Sequence, residues 1–496
     1  MIKVNNEIIK KQPKFWNHVL FHPTDAIEDP WGRRILDRMS RDGAIKTIRI
    51  YSMFEDIVYL GEDGEICYDF RVSDLRLDYL LEKGYDPLIA YGGMPDCIAE
   101  TTELQASISK NKTRYKGKMW NAAPPKDYAV WEEVCYQYTK HLVERYGEET
   151  IASWHCHCHN EPDGSFFMTH LDKHDANSQI LKSREYCKLY DAFVRGVRRA
   201  SKGIKVGGPA LAHRNDFLDY FLAHVKETGV EMNYIAVHTY GTGYQLLNDG
   251  SRPIATENHF KYRIDPYMEI IRKHGFEDTE LIIDEWGASA HGYFNVEECP
   301  SLLFREHEVY SSYFAKLIYQ LIESGINISK MMICLSGQHE MVTDFSGFRN
   351  FFTLNFIAKP IYNAHLLTSK MGDLLVKTDK DNENVFAFTT KDDGGRYSTL
   401  ITYCSEFFKE DIPNITEKVT YSENITGRKV TVWCIDKNTT NPYRTWERLG
   451  RPEMTESLLK QLREEGNIKP IAQFIATENS VSLDLTPNAT FLIIAE

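Results

Sequence analysis

Two glutamates in this chain follow apolar runs and sit among residues able to hold them. Glu161 lies in Trp154-His155-Cys156-His157-Cys158-His159-Asn160-Glu161-Pro162, and Glu285 in Ile282-Ile283-Asp284-Glu285-Trp286-Gly287. Brought together, two carboxylates can cleave a glycosidic bond. One gives its proton to the leaving oxygen, and the other, ionised, attacks the anomeric carbon or activates water. Burial and the charge of Glu285 would raise the pKa of Glu161, which suits an acid. Asn160 can hydrogen-bond a sugar hydroxyl beside the reacting carbon. A lone glutamate is far more often a surface or cap residue; the pairing of two such strand ends argues otherwise.

Other runs add candidates. In Val237-His238-Thr239-Tyr240-Gly241, His238 and Tyr240 share one side of a strand and can reach a carboxylate or a sugar hydroxyl. Phe166, with Phe167 just past Glu161, offers an aromatic wall or simply packs its loop. Gly207-Gly208-Pro209-Ala210 reads as tight packing rather than chemistry. The alternating His155, His157 and His159 raise a zinc alternative, since His-x-His on a strand can chelate metal. Inward positions along one strand fall in successive layers about 6.8 Å apart, so packing or hydrogen bonding inside the fold is the favoured reading and no metal is expected.

Elements that could position these groups are visible as apolar runs near Phe15–Phe21, Ile45–Ser52, Pro87–Gly93, Ile151–His159, Ile204–Pro209, Tyr234–Tyr240, Leu281–Trp286 and Lys330–Ser336. Amphipathic stretches separate them, such as Trp131–Tyr146, Tyr186–Ala200 and His307–Ser324. Strands that are apolar on both faces suit parallel sheet covered by helices. Eight such units fit a TIM barrel, whose strand C-termini carry the reactive groups. Glu161 ends the fourth strand and Glu285 the seventh, roughly across the mouth from each other. A doubly wound sheet is the competing architecture, but no GxGxxG or Walker A run supports nucleotide binding. After about Gly372 the texture turns to short strands and Asp/Asn/Gly turns, read as a β-sandwich, with a helical interruption over Glu453–Glu465.

The 496 residues exceed one average domain, and the net charge of −13 disfavours nucleic-acid or anionic-membrane partners. Aromatics make up 12% of the chain, enough to line a groove that stacks on sugars or to fill a large core. The 10 cysteines are scattered without a CxxC pair, as reduced thiols would be. No signal-peptide or membrane-spanning run is visible, so a cytoplasmic protein is expected.

The sequence resembles glycoside hydrolase family 39, the β-xylosidase and α-L-iduronidase family. The likeness is carried by Lys14-Phe15-Trp16, Ile45–Arg49, Met94-Pro95, Tyr115-Lys116-Gly117, Pro124–Tyr128, His141–Gly147, Asn160-Glu161-Pro162, Val206–Ala210, Val237–Gly241, Asp284-Glu285-Trp286, Lys359-Pro360 and Asn441-Pro442-Tyr443-Arg444-Thr445-Trp446. It implies Glu161 as acid/base, Glu285 as nucleophile, and double displacement with net retention. Carboxylates in such enzymes stand about 5–5.5 Å apart. It also implies substrate contacts from Asn160, His238 and Tyr240. The chain departs from the β-xylosidase pattern at Arg49-Ile50-Tyr51, where the family has Arg-Phe-His, so Tyr51 replaces a sugar-contacting His. His159 stands where Trp is usual. After the eighth strand a Trp-containing stretch and paired acids give way to Cys334-Leu335-Ser336-Gly337-Gln338-His339-Glu340. Glu340 is then the retained sugar-binding carboxylate, and Arg349 either meets a substrate carboxylate or is a solvated loop residue. Trp286 completes the candidate substrate-binding set.

The expectations are therefore a strand at 1–12 joining the sandwich, a (β/α)8 barrel at 13–372 and a β-sandwich at 373–496. The function is a retaining, β-xylosidase-like exo-glycosidase of bacterial origin, needing no cofactor. The substrate is an oligosaccharide or glycoside; neither nucleic acid nor membrane is a partner, and a homo-oligomer is one option. The alternatives are the same mechanism on an arabinoside, galactoside or uronic acid, a non-catalytic carbohydrate-binding barrel, and a metal-dependent hydrolase using the histidine run.

Overall fold

The structure is a computed structural model that describes residues 1–22, 24–107, 119–242, 257–292, 294–336 and 340–496. Among the described residues, eight parallel strands close into a barrel: His18–Phe21, Thr47–Tyr51, Asp86–Tyr91, His155–Cys158, Lys205–Leu211, Tyr234–Thr242, Glu280–Ser289 and Ile328–Leu335. The last pairs back onto the first, with Met332 opposite His18 and Leu335 opposite Phe21. Each strand is followed by a helix, so the fold is a TIM barrel.

Local sequence sets the helix limits. In Pro30–Asp42, Asp29 accepts the Trp31 N–H, proline occupies the first turn, and Gly43 ends the helix at φ 65° with its N–H returned to Met39 and Ser40. Ile35, Leu36 and Met39 face the barrel and are buried. Tyr128–Tyr146 starts in the same way, with Asp127 accepting from Ala129.

Outward-facing strand residues and the inner faces of the helices form the main core. Inside the barrel the side chains stack in layers. A lower one holds Leu88, Tyr234, Ala236, Ile282 and Met332. An upper one holds Leu20, Tyr51, Ala90 and Cys334, with Trp120 and Met53 above the strands. The histidine run follows this period of two. His155 sits at the N-terminal end beside Glu280 (3.1 Å), where Lys205, Lys330 and Ser329 also converge. His157 lies mid-barrel against Arg49 and Asp284. His159, at the mouth, donates from Nε2 to the Phe166 carbonyl (3.1 Å). The three imidazoles have three separate sets of partners and do not converge on one point.

A nine-stranded sheet lies beyond the barrel and includes the N-terminal strand Ile2–Lys11, antiparallel to Leu374–Lys380 and parallel to Ile415–Tyr421. It curls over itself into the sandwich. Thr399 and Tyr421 lie on strands that are not neighbours, yet their hydroxyls bond at 3.1 Å. Ile2, Val4, Ile401, Val419 and Phe491 share one core. The sequence reading missed strands Leu374–Lys380, Ile415–Tyr421 and Pro470–Ile475, whose alternation is broken by charged or fully exposed positions. The helical interruption is two helices, Pro442–Arg448 and Glu456–Glu465.

Sheet and barrel are joined through the helix Glu308–Ser324. Ser312 bonds Thr402 (2.8 Å), and the buried Glu308 takes Arg444 (2.8 Å) and Asn441 (2.7 Å). Phe345, in the loop after the eighth barrel strand, packs on Tyr443 and Trp446 (5.6 and 5.2 Å between ring centres). No helix among the described residues is long and apolar enough to cross a membrane. All ten cysteines are free thiols.

Candidate active site

Arg49, on the second strand, is the charge around which the barrel mouth is built. It is fully buried. Nη1 donates to Glu285 Oε1 (2.9 Å) and Nη2 to Asn160 Oδ1 (2.6 Å), while Nε faces Asp284 Oδ2 (3.1 Å) with His157 Nε2 alongside (3.2 Å). A buried guanidinium is tolerable only when its fork is met by charge and acceptors in this way.

Asp284 and Glu285 are consecutive, yet both face the interior. Strict alternation would turn one of them outward. The pairing of strands six and seven shows why: Val237 is opposite Ile283, but His238 is opposite Glu285. Asp284 is the extra residue of a bulge, which re-aims the residues after it. Trp286 then points outward and stacks on Phe314 of the following helix (5.5 Å, rings 10° apart). This corrects the expectation that Trp286 binds substrate: it is fully buried in the core behind the wall.

Glu161 is reached through a turn in which it adopts φ 44°, uncommon for a residue with a Cβ. The turn is held on all sides. Glu161 N–H donates to the Ala210 carbonyl (3.0 Å) at the end of strand five. The Asp163 carboxylate accepts three backbone N–H groups, from Ala212, His213 and Arg214, each at 2.9 Å. Lys182 bonds the Gly164 carbonyl (2.6 Å).

His238 joins the two glutamates. Its Nδ1 donates to Glu161 Oε1 at 2.9 Å and lies 3.7 Å from Glu285 Oε2, and its Nε2 is 3.5 Å from Asp284 Oδ1. One oxygen of each glutamate and a ring nitrogen of His238 all fall within 4.8 Å of one another. Tyr240 donates to Glu285 Oε2 (2.7 Å), and the Tyr51 hydroxyl is 3.5 Å from Glu285 Oε1. Arg349 donates to the Tyr240 hydroxyl (2.9 Å) and to Ser336 Oγ (2.7 Å).

These contacts bias the two carboxyls in opposite directions. Burial raises the Glu161 pKa above the usual carboxylate value; His238 offsets part of this, and the charges of Glu285 and Asp163 add to it. Burial pushes Glu285 the same way but is outweighed by His238, Arg49 and Arg349, and its pKa is well below normal. Burial disfavours the His238 cation, but Glu285 and Asp284 more than compensate and raise it to about 10. At neutral pH the site therefore holds an ionised Glu285, an imidazolium, and a Glu161 biased toward its protonated form.

A family model for glycosyl hydrolases family 39 matches residues 1–480. The chain belongs to glycosyl hydrolase family 39. The β-xylosidase of Caldicellulosiruptor saccharolyticus is 23% identical over 499 residues, covering 95% of this chain and 93% of the relative. Human α-L-iduronidase is 24% identical over 213 residues, covering 40% of this chain and 28% of the relative. A monomeric β-xylosidase from Caulobacter crescentus CB15 superposes with a TM-score of 0.83 at 21% identity, over 100% of this chain and 99% of that one. A bacterial orthologue of human α-L-iduronidase gives 0.76 at 16% identity, over 100% and 83%.

Within this family 39 glycoside hydrolase, the structure gathers Glu161, Glu285, Asn160, His238, Tyr240, Tyr51 and Arg349 at the mouth. Arg349 is no solvated loop residue: it is buried against Tyr240. His159 is buried at the mouth and Phe166 is half-buried beside Trp120. Glu340 is buried just past the eighth strand; residues 337–339 before it, and the Tyr115-Lys116-Gly117 segment, lie outside the described residues. Sequence reasoning missed Arg49, Asp284, Trp120 and Ser336 as members of the site. Arg49 carried a signal, a charge at an alternating position of the apolar run Thr47-Ile48-Arg49-Ile50-Tyr51. Asp284 carried none, because only the bulge turns it inward.

Proposed function

We propose that this glycoside hydrolase is a retaining exo-glycosidase of β-xylosidase type, with Glu285 as nucleophile and Glu161 as acid/base. The observation that carries the reading is the pair itself: two carboxylates with oxygens within 4.8 Å, one biased toward the acid and one held ionised. Oxygens that close fit the roughly 5–5.5 Å carboxyl spacing of retaining enzymes better than the roughly 6.5–9.5 Å that seats a water in inverting ones. Glu285 attacks the anomeric carbon as the bond to the leaving oxygen breaks, and Glu161 gives that oxygen its proton. A covalent glycosyl ester on Glu285 results. Glu161, now a carboxylate, takes a proton from water, whose oxygen attacks the same carbon and frees Glu285.

Each surrounding group has a share in this reading. Arg49 and Tyr240 orient the Glu285 oxygens; His238 and Arg49 hold Glu285 ionised, while burial biases Glu161 toward its acid form. The β-xylosidase relatives support a xyloside as the first substrate to try. Arabinoside, galactoside and uronoside are the other arms of the same panel of aryl glycosides.

The test is Glu161→Ala on aryl glycosides with good and poor leaving groups. The expected result is a loss of about 10²–10⁴-fold for poor leaving groups, a much smaller loss of the glycosylation step for activated ones, and rescue by azide giving a glycosyl azide of retained configuration. Glu285→Ala should abolish turnover, with azide giving the inverted product. Turnover surviving both substitutions would sink the assignment. Sugar binding without any turnover by the unaltered enzyme would return the carbohydrate-binding reading.

A further inference from the structure

Trp120 enters the barrel mouth from the short hairpin formed by Gln105–Ser107 and Met119–Asn121. It is 2% exposed, and its indole Nε1 has no hydrogen-bond partner among the described residues. A buried donor left unmade costs about 1–3 kcal/mol, so such a group in an enzyme's mouth calls for an acceptor that arrives with the ligand.

Gly92 lies against the Trp120 ring. Leu88 and Ala90 on the third strand face the barrel interior, and Gly92 continues their row. A Cβ built on Gly92 would stand 3.2 Å from Trp120 Cζ2, on the indole edge next to Nε1, and 3.6 Å from His159 Nδ1. The absent side chain leaves room beside the two rings, which meet edge to face with centres 5.8 Å apart.

His159 supplies the complementary group. Its Nε2 lies 3.1 Å from the Phe166 carbonyl, which can only accept, so Nε2 carries the proton. Burial keeps this imidazole neutral, with its pKa lowered to about 4. Nδ1 is then a bare acceptor, with no bond to it among the described residues. One donor and one acceptor on adjacent rings match a single hydroxyl that accepts from the first and donates to the second.

Tyr51 gives the distance from the chemistry. Its ring meets Trp120 edge-on at 5.4 Å, and its hydroxyl is 3.5 Å from Glu285 Oε1. Trp120 therefore stands one tyrosine away from the attacking carboxylate, on the side of a pyranose remote from its anomeric carbon. The 2-hydroxyl falls to Asn160. We propose that Trp120 and His159 together select the terminal sugar by reading one hydroxyl at its 3- or 4-position, Trp120 Nε1 donating and His159 Nδ1 accepting. This rests on the glycosidase reading for the placement of the sugar.

The experiment uses the full chain, its best aryl glycoside from the panel, and the 3-deoxy and 4-deoxy forms of that substrate. Trp120→Phe keeps a ring and deletes the donor; His159→Asn tolerates the positive φ of 64° and removes the imidazole acceptor. In the unaltered enzyme, one deoxy substrate should lose about 10–100-fold in kcat/KM. Each variant should lose a similar factor on the parent sugar, with the deoxy penalty shrinking to under about threefold. Melting temperatures identify a variant that has merely failed to fold, and the other variant then decides. Calorimetric titration of xylose, arabinose, galactose and glucuronate, with the matching deoxy sugar, repeats the comparison without turnover, so absence of activity would count against the glycosidase reading alone. Deoxy penalties that are the same in the unaltered enzyme and both variants would overturn the proposal.

Discussion

Arg49 donates through Nη2 to Asn160 Oδ1 at 2.6 Å, and that bond decides which way the Asn160 amide faces. A guanidinium can only donate, so the amide oxygen is taken and the NH₂ is turned toward the pocket. The same guanidinium holds Glu285 with its other arm. One side chain thus sets the direction of the Asn160 donor, helps keep the proposed nucleophile ionised, and ties strand two to strands four and seven.

Replacing Arg49 should therefore damage both chemistry and folding. Arg49→Met is expected to lower kcat/KM by at least about a thousandfold, since Glu285 loses a cation and Asn160 its anchor. It should also destabilise the fold by about 3–5 kcal/mol, because Asp284 is left buried with His238 as its remaining nearby cation. Adding Asp284→Asn should restore part of the melting temperature and none of the activity. Recovery of both together would mean that Arg49 serves the fold alone.

The pH profile should move when His238 is replaced. In the proposed mechanism activity requires Glu285 ionised, which holds above its pKa, and Glu161 protonated, which holds below its pKa. The His238 cation lowers both. His238→Gln removes that cation, so both pKa values rise and the whole bell shifts to higher pH, by about one unit. The check is kcat/KM against pH on both limbs. Unmoved limbs would remove His238 from the electrostatics of the pair.

Gly207→Ala tests the packing read at the end of strand five. A Cβ there would stand 2.5 Å from both the ring and the carbonyl oxygen of Tyr234, on the adjacent strand. Neither can yield without moving the barrel wall, so a loss of about 1–3 kcal/mol is expected, read as a lower melting temperature. Unchanged melting would show that the wall relaxes.

Arg444→Met addresses the joint between barrel and sandwich. Glu308 is 1% exposed and Arg444 is bonded to both of its oxygens, at 2.8 and 3.2 Å. Removing the guanidinium should cost about 3 kcal/mol and lower the melting temperature by several degrees. At 25 °C kcat/KM should stay within threefold, because the partners of Arg444 among the described residues are Glu308, Glu410 and Glu447 and not Glu161 or Glu285. A larger fall would mean that the contact of Phe345 with Tyr443 also holds Arg349 in place.

Much of the barrel could be read from the chain. Its strands are apolar on both faces and its helices carry a 3.6-residue stripe, so both periods survive in one dimension. The two glutamates could be found because strand ends are where a barrel displays reactive groups. The sandwich was less legible: Pro470–Ile475 is an edge strand exposed along its whole length, and exposure erases the alternation that marks a strand.

Residue type and spacing by themselves determined that two carboxylates would face each other across a barrel mouth. Tertiary structure decided which other groups join them. Glu285 and Trp286 are neighbours in the chain, but the bulge at Asp284 keeps one inside and turns the other into the core. Arg49, more than a hundred residues from Asn160, meets it because strands two and four converge on the same mouth. Such choices depend on register and layer, set when the sheet closes, and a linear pattern does not record them.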